Sequence, residues 1–344
     1  MKRLLPLLLA LLLAAPAFAL SEEEAVLNIF TWAEYISPSV LEPFTAETGI
    51  QINYSFFDSN EEMLTKLQAE GGGTYDIVLA SDYIVDISRR EGLMQPLDKA
   101  KIANWNNIDP RYRGQYFDPD DQYVIPYIAG TPLIMYDPAR VDIEITGYES
   151  LWDESLRESL VLMDDGRNII GITLKSMGES FNTTDPEILA RAEEKLMKLQ
   201  PNVRVLDYDR PDLPLVSGEA TVGYLFTPAI IWAQEERPDL QVVYPAEGMG
   251  FGIDALFVPV NAPHPDNAHL FLDFLLKPDI GLSIALEQAY TCVNQEAYKL
   301  LPQEIKDNPA LYIPAEIIGQ PEYIMDVGDA EPIFTEIWTK FQQF

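Results

Sequence analysis

Apolar positions beyond Val26 fall into short continuous runs separated by helix-length amphipathic segments. "VLNIF" (26–30) reads as a buried strand. "SPSVLEPFTAETG" (37–49) reads as a helix with Ser37 or Ser39 near its start and Gly49 at its end, and "IQINYSFF" (50–57) as the next strand. The alternation continues through a helix "NEEMLTKLQAEGG" capped by Ser59 or Asn60, a strand "YDIVLA" and a helix "DYIVDISRREG" closed by Gly92. Strands alternating with helices of this length predict βαβ units and a parallel sheet, whose ligands sit at the carboxyl ends of strands. Trp32 to Tyr35 and Ser81 to Tyr83 both follow strands, so two loops bearing aromatic residues share one sheet edge.

Further along, a capping box formed by Thr184 and Glu187, with Pro186 in the first turn, predicts the start of a helix. Strands are expected at "VRVLD", "ATVGYLF" and "LQVVYP", and a helix at "NAHLFLDFLL". Long extended runs near 126–136 and 250–260 look like two crossings between lobes. The expected architecture is α/β and two-lobed with a hinged cleft: residues 20–130 with 255–302 form one lobe, and 131–254 with 303–344 the other.

The opening "MKRLLPLLLALLLAAPAFAL" adds two early cations, a short Leu/Ala run and an Ala-Phe-Ala ending, the pattern of a secretory signal peptide over 1–19 with cleavage after Ala19. Pro6 and Pro16 interrupt the run within less than the roughly 20 apolar residues of a membrane span. Cys292 is the only cysteine, so neither a lipid-bearing cysteine at the cleavage point nor an internal disulfide is available. A mature chain stabilised by packing in an oxidising compartment, the periplasm first, is expected. The formal charge of −32, more negative still without Lys2 and Arg3, repels nucleic acid and attracts cations.

Several chemistries find no footing. "GGGT" (71–74) lacks the Lys-Ser/Thr of a phosphate loop and reads as a helix stop. The only histidines, His264 and His269, lack the spacing of a helical zinc pair, no G-x-S-x-G elbow precedes them, and they read as surface residues. Cys292 has no basic neighbour in sequence to activate it and reads as a semi-buried inert thiol. No catalytic residue, metal site or cofactor is expected. Asp254 stands out as a charge inside the apolar run "FGIDALFV", where an unpaired buried carboxylate is costly; it wants a cation.

The segments "TWAEYI", "YDIVLASDYIV", "FDPDDQYVIPYIAGT", "SGEATVGY", "PAEGMGFGIDALFVPVNAP" and "DVGDAEPI", in that order from Leu27 onward, resemble the spermidine/putrescine-binding periplasmic proteins that serve ABC importers. The resemblance implies a type II periplasmic binding fold that closes on a polyamine and delivers it to an inner-membrane ABC permease. It also implies a monomer that performs no chemistry. It places Trp32, Tyr35 and Tyr83 as aromatic walls, Glu34, Asp165 and Asp254 as charges, Ser81 as a hydrogen-bond partner, and Tyr290 on the cleft. Ammonium heads want carboxylates, and their methylene stems want flat aromatic faces.

Departures bear on the ligand. Asn168 stands where family members carry an acid, Phe226 and Gly252 replace two cleft tryptophans, and Ile324 replaces a glutamine. A shorter diamine, or an amino compound with one polar or anionic end, then competes with a long triamine. Structural roles compete as well: Trp32 and Tyr35 as interlobe packing, Asp165 as a turn cap. A sensory receptor component and, more remotely, a secreted hydrolase are the alternative functions.

Overall fold

The computed structural model describes residues 23–314 and 322–343. The expected signal peptide and its cleavage point lie outside the described residues. Seven strands form the first sheet: β1 (Val26–Thr31), β2 (Gln51–Phe56), β3 (Ile77–Ser81), β4 (Val124–Gly130), β10 (Gly250–Phe257), β11 (Thr291–Cys292) and β12 (Glu322–Tyr323). Five form the second: β5 (Leu133–Tyr136), β6 (Leu160–Met163), β7 (Val203–Asp207), β8 (Val222–Leu225) and β9 (Gln241–Val243). The main path of the first runs β11-β4-β10-β3-β1-β2, with β12 pairing with β10; the second runs β7-β6-β8-β5-β9.

Both sheets are mixed. β1 pairs in parallel with β2 and β3, and β6 with β7 and β8, as βαβ units require. β10 enters antiparallel between β3 and β4, and β5 antiparallel between β8 and β9. Each sheet carries an apolar cluster on either face. On the first, Phe44, Phe271 and Leu256 lie in one cluster and Phe30, Phe57 and Phe257 in the other. Phe44 is fully buried edge-on to Phe271 with ring centroids 5.0 Å apart, and such burial stabilises by about 1.5–3 kcal/mol per side chain. The second sheet packs Tyr224 and Leu162 against Phe334, Ile337 and Phe341 of the last helix, Glu331–Phe341.

The helix ends follow local chemistry. Gly49 closes Pro38–Thr48 at φ 77°, and the Ser59 hydroxyl accepts from the Glu62 N–H to start Asn60–Glu70. At Pro186–Met197 the cap is Asp185, one residue beyond the expected Thr184. Its carboxylate takes the N–H groups of Glu187 and Ile188, and an acid suits a helix N-terminus better than a hydroxyl.

The chain first passes between sheets from β4 to β5, through Thr131 and Pro132 alone. It returns through 244–249, ahead of the expected 250–260 run, because Gly250–Phe257 is itself a strand of the first sheet. The expected division at 254/255 therefore falls inside β10. A third connection, β12 and residues 324–326, straps the lobes together. Lys175 and Asn182 of the second lobe hold Glu322 and the Tyr323 carbonyl, whereas Arg90 and Tyr116 of the first hold Asp326 and the Ile324 carbonyl.

The histidines depart from the surface reading. His269 is buried and its Nε2 accepts from the Asp98 N–H, while His264 donates its backbone N–H to Asp76, which also lies 3.0 Å from its Nδ1. Both are built into the packing of the first lobe. Among the described residues no helix is long and apolar enough to cross a membrane.

Candidate functional site

The carboxyl ends of β1 and β3 lead into Trp32–Tyr35 and Ser81–Tyr83, and those of β6 and β7 into Asp165 and Tyr208; Asp165 acts on Tyr83 of the first lobe, and Asp254 of the first lobe acts on Tyr208. After β1, the chain turns tightly through Trp32–Tyr35, with Glu34 exposed at φ 57°. The Trp32 ring meets Tyr35 at 5.0 Å and Phe57 at 4.9 Å, and its carbonyl accepts from the Tyr54 hydroxyl at 3.0 Å. Tyr35 is fixed from behind, its carbonyl taking the Tyr127 hydroxyl at 3.2 Å. Packing and presentation are thus combined here: the same contacts that bury one side of these rings hold the other side at the sheet edge.

The antiparallel register sets Asp254 of β10 opposite Ser81 of β3. The Tyr35 phenol donates a hydrogen bond to the Asp254 carboxylate, and the Ser81 hydroxyl bonds to it as well. Burial raises the Asp254 carboxyl above its ordinary range, and these two bonds oppose the rise. The charge of Asp254 in turn adds to burial in pushing the phenols of Tyr35 and Tyr290 upward.

Beside this carboxylate lies a second that sequence reasoning passed over. Asp82 is 3 % exposed, and its oxygens accept from the N–H groups of Tyr83 and Ile253 at 2.7 and 3.3 Å, with the Tyr116 phenol nearby. Its carboxyl is held well above the usual range, first by burial and then by Asp254. Elsewhere, buried carboxylates have compensation. Asp137 pairs with Arg237 and Asp212 with Arg210, Asp76 takes the backbone N–H groups of Asn28 and His264, and Asp118 takes three backbone N–H groups. Among the described residues, no basic side chain pairs with Asp254 or Asp82.

Tyr290 sits at the crossing. A Cβ on Gly130 would lie 2.8 Å from two carbons of the Tyr290 ring and 3.3 Å from the Thr227 hydroxyl, whose own bond runs to the Thr131 carbonyl. Gly130→Ala is therefore expected to destabilise the protein by about 1–3 kcal/mol through overpacking. Chemical denaturation measures this, and an unchanged midpoint would mean that the ring yields freely.

On the second lobe, Asp165 caps the helix Gly166–Ser176, accepting the Asn168 N–H at 2.9 Å, and the Asn168 side chain bonds to the same carboxylate. The competing structural role is real, but it leaves the group at the cleft: burial raises the Asp165 carboxyl, and Tyr83 of the first lobe lies within its field. Asn168 is buried, and its Oδ1 has no partner among the described residues. Tyr83 donates to Glu61 at 2.8 Å. Arg167, beside Asp165, donates to the Met325 carbonyl at 2.9 Å and lies over the Phe334 ring at 4.4 Å.

The remaining expectations divide. Phe226 packs on the second-lobe core with the Tyr208 ring edge-on at 6.1 Å. A Cβ on Gly252 would meet nothing within 4 Å, so the space beside it is open. The Ile324 side chain also packs on the second-lobe core, and only its carbonyl reaches across to Tyr116. Glu34 stays at the exposed tip of its turn. Trp32, Tyr35, Ser81, Asp254 and Tyr290 thus form one contiguous patch on the first lobe, with Tyr83 reaching toward Asp165 on the second. Asp82, Tyr208, Glu61 and Arg167, which no sequence pattern singles out, lie close to these groups. In sequence, Asp82 is marked only by its place in the loop after Ser81. Among the described residues no group of His, Cys, Asp and Glu is arranged to hold a metal ion.

Residues 39–313 match the family of bacterial extracellular solute-binding proteins. The chain is similar to the spermidine/putrescine-binding periplasmic protein of Salmonella typhimurium, 38% identical over 96% of this chain and 97% of the relative. A putrescine-binding periplasmic protein of Pseudomonas aeruginosa is 30% identical over 99% of each chain. Among solved structures, the spermidine/putrescine ABC transporter substrate-binding protein of Streptococcus pneumoniae superposes with a TM-score of 0.79 at 34% identity, covering 92% of this chain and 98% of that one.

Proposed function

We propose that this chain, which belongs to the bacterial extracellular solute-binding protein family, is the periplasmic receptor of an ABC importer and binds a polyamine between its lobes. One observation carries the reading. Two neighbouring carboxylates, the half-buried Asp254 and the buried Asp82, stand beside the rings of Trp32, Tyr35 and Tyr290 with no basic side chain among the described residues to pair with either. An uncompensated buried anion costs several kcal/mol, and an entering ammonium group relieves that cost.

The walls suit the rest of such a ligand. Trp32, Tyr35 and Tyr290 offer ring faces to a methylene stem, and Asp165 and Glu61 offer charge to a second ammonium at the far end. Nothing chemical need happen to the ligand, since its contacts are divided between lobes and only a fitting molecule repays the hinge rotation. Release to the permease reverses that rotation.

The test is a thermal-shift and calorimetric screen of the mature chain with putrescine, cadaverine, spermidine, spermine, agmatine and zwitterionic amino acids. A bound amine at a hundred times its dissociation constant adds about 2.7 kcal/mol of stability. The expected result is saturable binding of at least one di- or triamine and none of a neutral isostere. A response only to zwitterions would assign the slot to an amino acid.

A further inference from the structure

Sheet two brings three residues to one edge: Asp165 after β6, Tyr208 after β7 and Phe226 after β8, with β6 between the other two strands. Tyr208 is the anomaly among them. It is 51 % exposed, although it is large, aromatic and carried on a well-fixed loop. The Asp207 carboxylate accepts the N–H groups of Asp209 and Arg210, both at 2.9 Å, closing a turn directly under Tyr208. Arg210 then grips Asp212 through two bonds of 2.9 and 2.7 Å and lies over the Trp232 ring at 5.3 Å. At the other end, the Asp207 carbonyl accepts the Asp164 N–H, tying the loop to the strand end that carries Asp165.

This backbone is ordered by bonds that do not involve the Tyr208 side chain. The ring forms a T-shaped pair with Phe226, centroids 6.1 Å apart, and about half of its surface stays exposed. It also lies where both lobes act on it: the phenol is held above its ordinary range by partial desolvation, by Asp165 of its own lobe and by Asp254 of the other, and it acts in turn on Tyr290. A rigidly presented aromatic face lying between the carboxylates of two lobes is a surface made for a cationic chain.

We infer that Tyr208 is the second-lobe aromatic plate of the slot, closing over the methylene stem of an aliphatic amine opposite Trp32 and Tyr35 of the first lobe. This deepens the polyamine reading and rests on it. The plate comes from β7, whereas the expected contributor, Phe226, serves mainly as its backing.

The experiment is isothermal titration of the mature chain, Tyr208→Ala and Tyr208→Phe with putrescine and spermidine, alongside thermal unfolding of each protein without ligand. Because the ring is half-exposed and the loop is held by Asp207, both variants are expected to unfold at the wild-type temperature. Tyr208→Ala is expected to raise the dissociation constant of the better ligand roughly tenfold or more, whereas Tyr208→Phe stays within about threefold of wild type. Wild-type affinity in Tyr208→Ala would overturn the inference while leaving the polyamine reading intact. Equal losses in both variants would also overturn it, by assigning the effect to the hydroxyl. If the wild-type chain takes neither amine, the polyamine reading falls and the plate with it.

Discussion

Asp254→Asn is expected to abolish measurable binding of any amine. The substitution keeps shape and one hydrogen-bonding oxygen for Tyr35 and Ser81, so it removes little except charge. Losing the buried partner of an ammonium costs about 3–5 kcal/mol, or roughly two to four orders of magnitude in affinity. Asp82 does not replace it. Its oxygens are already engaged by the Tyr83 and Ile253 N–H groups, and it is almost wholly buried. Without ligand, the variant is expected to unfold at the wild-type temperature or above it, because a half-buried carboxylate without a basic partner has been replaced by a neutral group. Calorimetric titration with the best amine decides the matter. An unchanged dissociation constant would remove Asp254 from the site.

The second large effect is a pair of opposite pH trends. Asp82, Asp254 and Asp165 all have carboxyls raised by burial, Asp82 most strongly because Asp254 adds to it. A carboxyl whose folded value lies above its unfolded value of about 4 contributes stability below that pH and loses it as pH climbs through the folded value. The unliganded chain is therefore expected to lose stability from these groups as pH rises above about 4, at up to about 1.4 kcal/mol per pH unit for each proton released. Amine binding needs the ionised forms, so affinity should climb through the same window.

Carboxyls held low by partners, such as Asp326 and Asp109, act in the opposite sense on stability, so the informative quantity is a difference. Asp82→Asn should flatten the acid-side gain in unliganded stability relative to wild type. Thermal unfolding of both proteins at several pH values, with and without amine, measures both trends. Parallel curves for the two proteins would mean that Asp82 does not titrate there.

What could be read from the chain was set by the range of the interactions. The strands and helices of the first lobe follow from local periodicity, and Gly49, Ser59 and Gly92 mark ends that depend only on neighbouring residues. Asp254 was legible because a charge in an apolar run violates a local rule. Asp82 was not, because an acid at a helix start has an ordinary local explanation. Only the pairing of β3 with β10, some 170 positions apart in sequence, puts it beside Asp254. Tyr208 depends on the same kind of knowledge: a tyrosine after a short strand is unremarkable until the second lobe faces the first. The histidines failed for the converse reason, since the partners that bury them, Asp76 and Asp98, lie far away in the chain.

The two-residue passage at Thr131 and Pro132 has a mechanical consequence. If the lobes turn about the adjoining strands, each group moves in proportion to its lever arm. Phe226 follows β8, next to β5, and Tyr290 rests on Gly130 at the pivot, so both travel little. Tyr208 follows β7, three strands out, or about 14 Å at the usual strand spacing, and a rotation of roughly 20° carries it about 5 Å. A guest arriving in the gaping form would thus meet the pivot residues first, with the outermost ring swinging in last, like the free edge of a door.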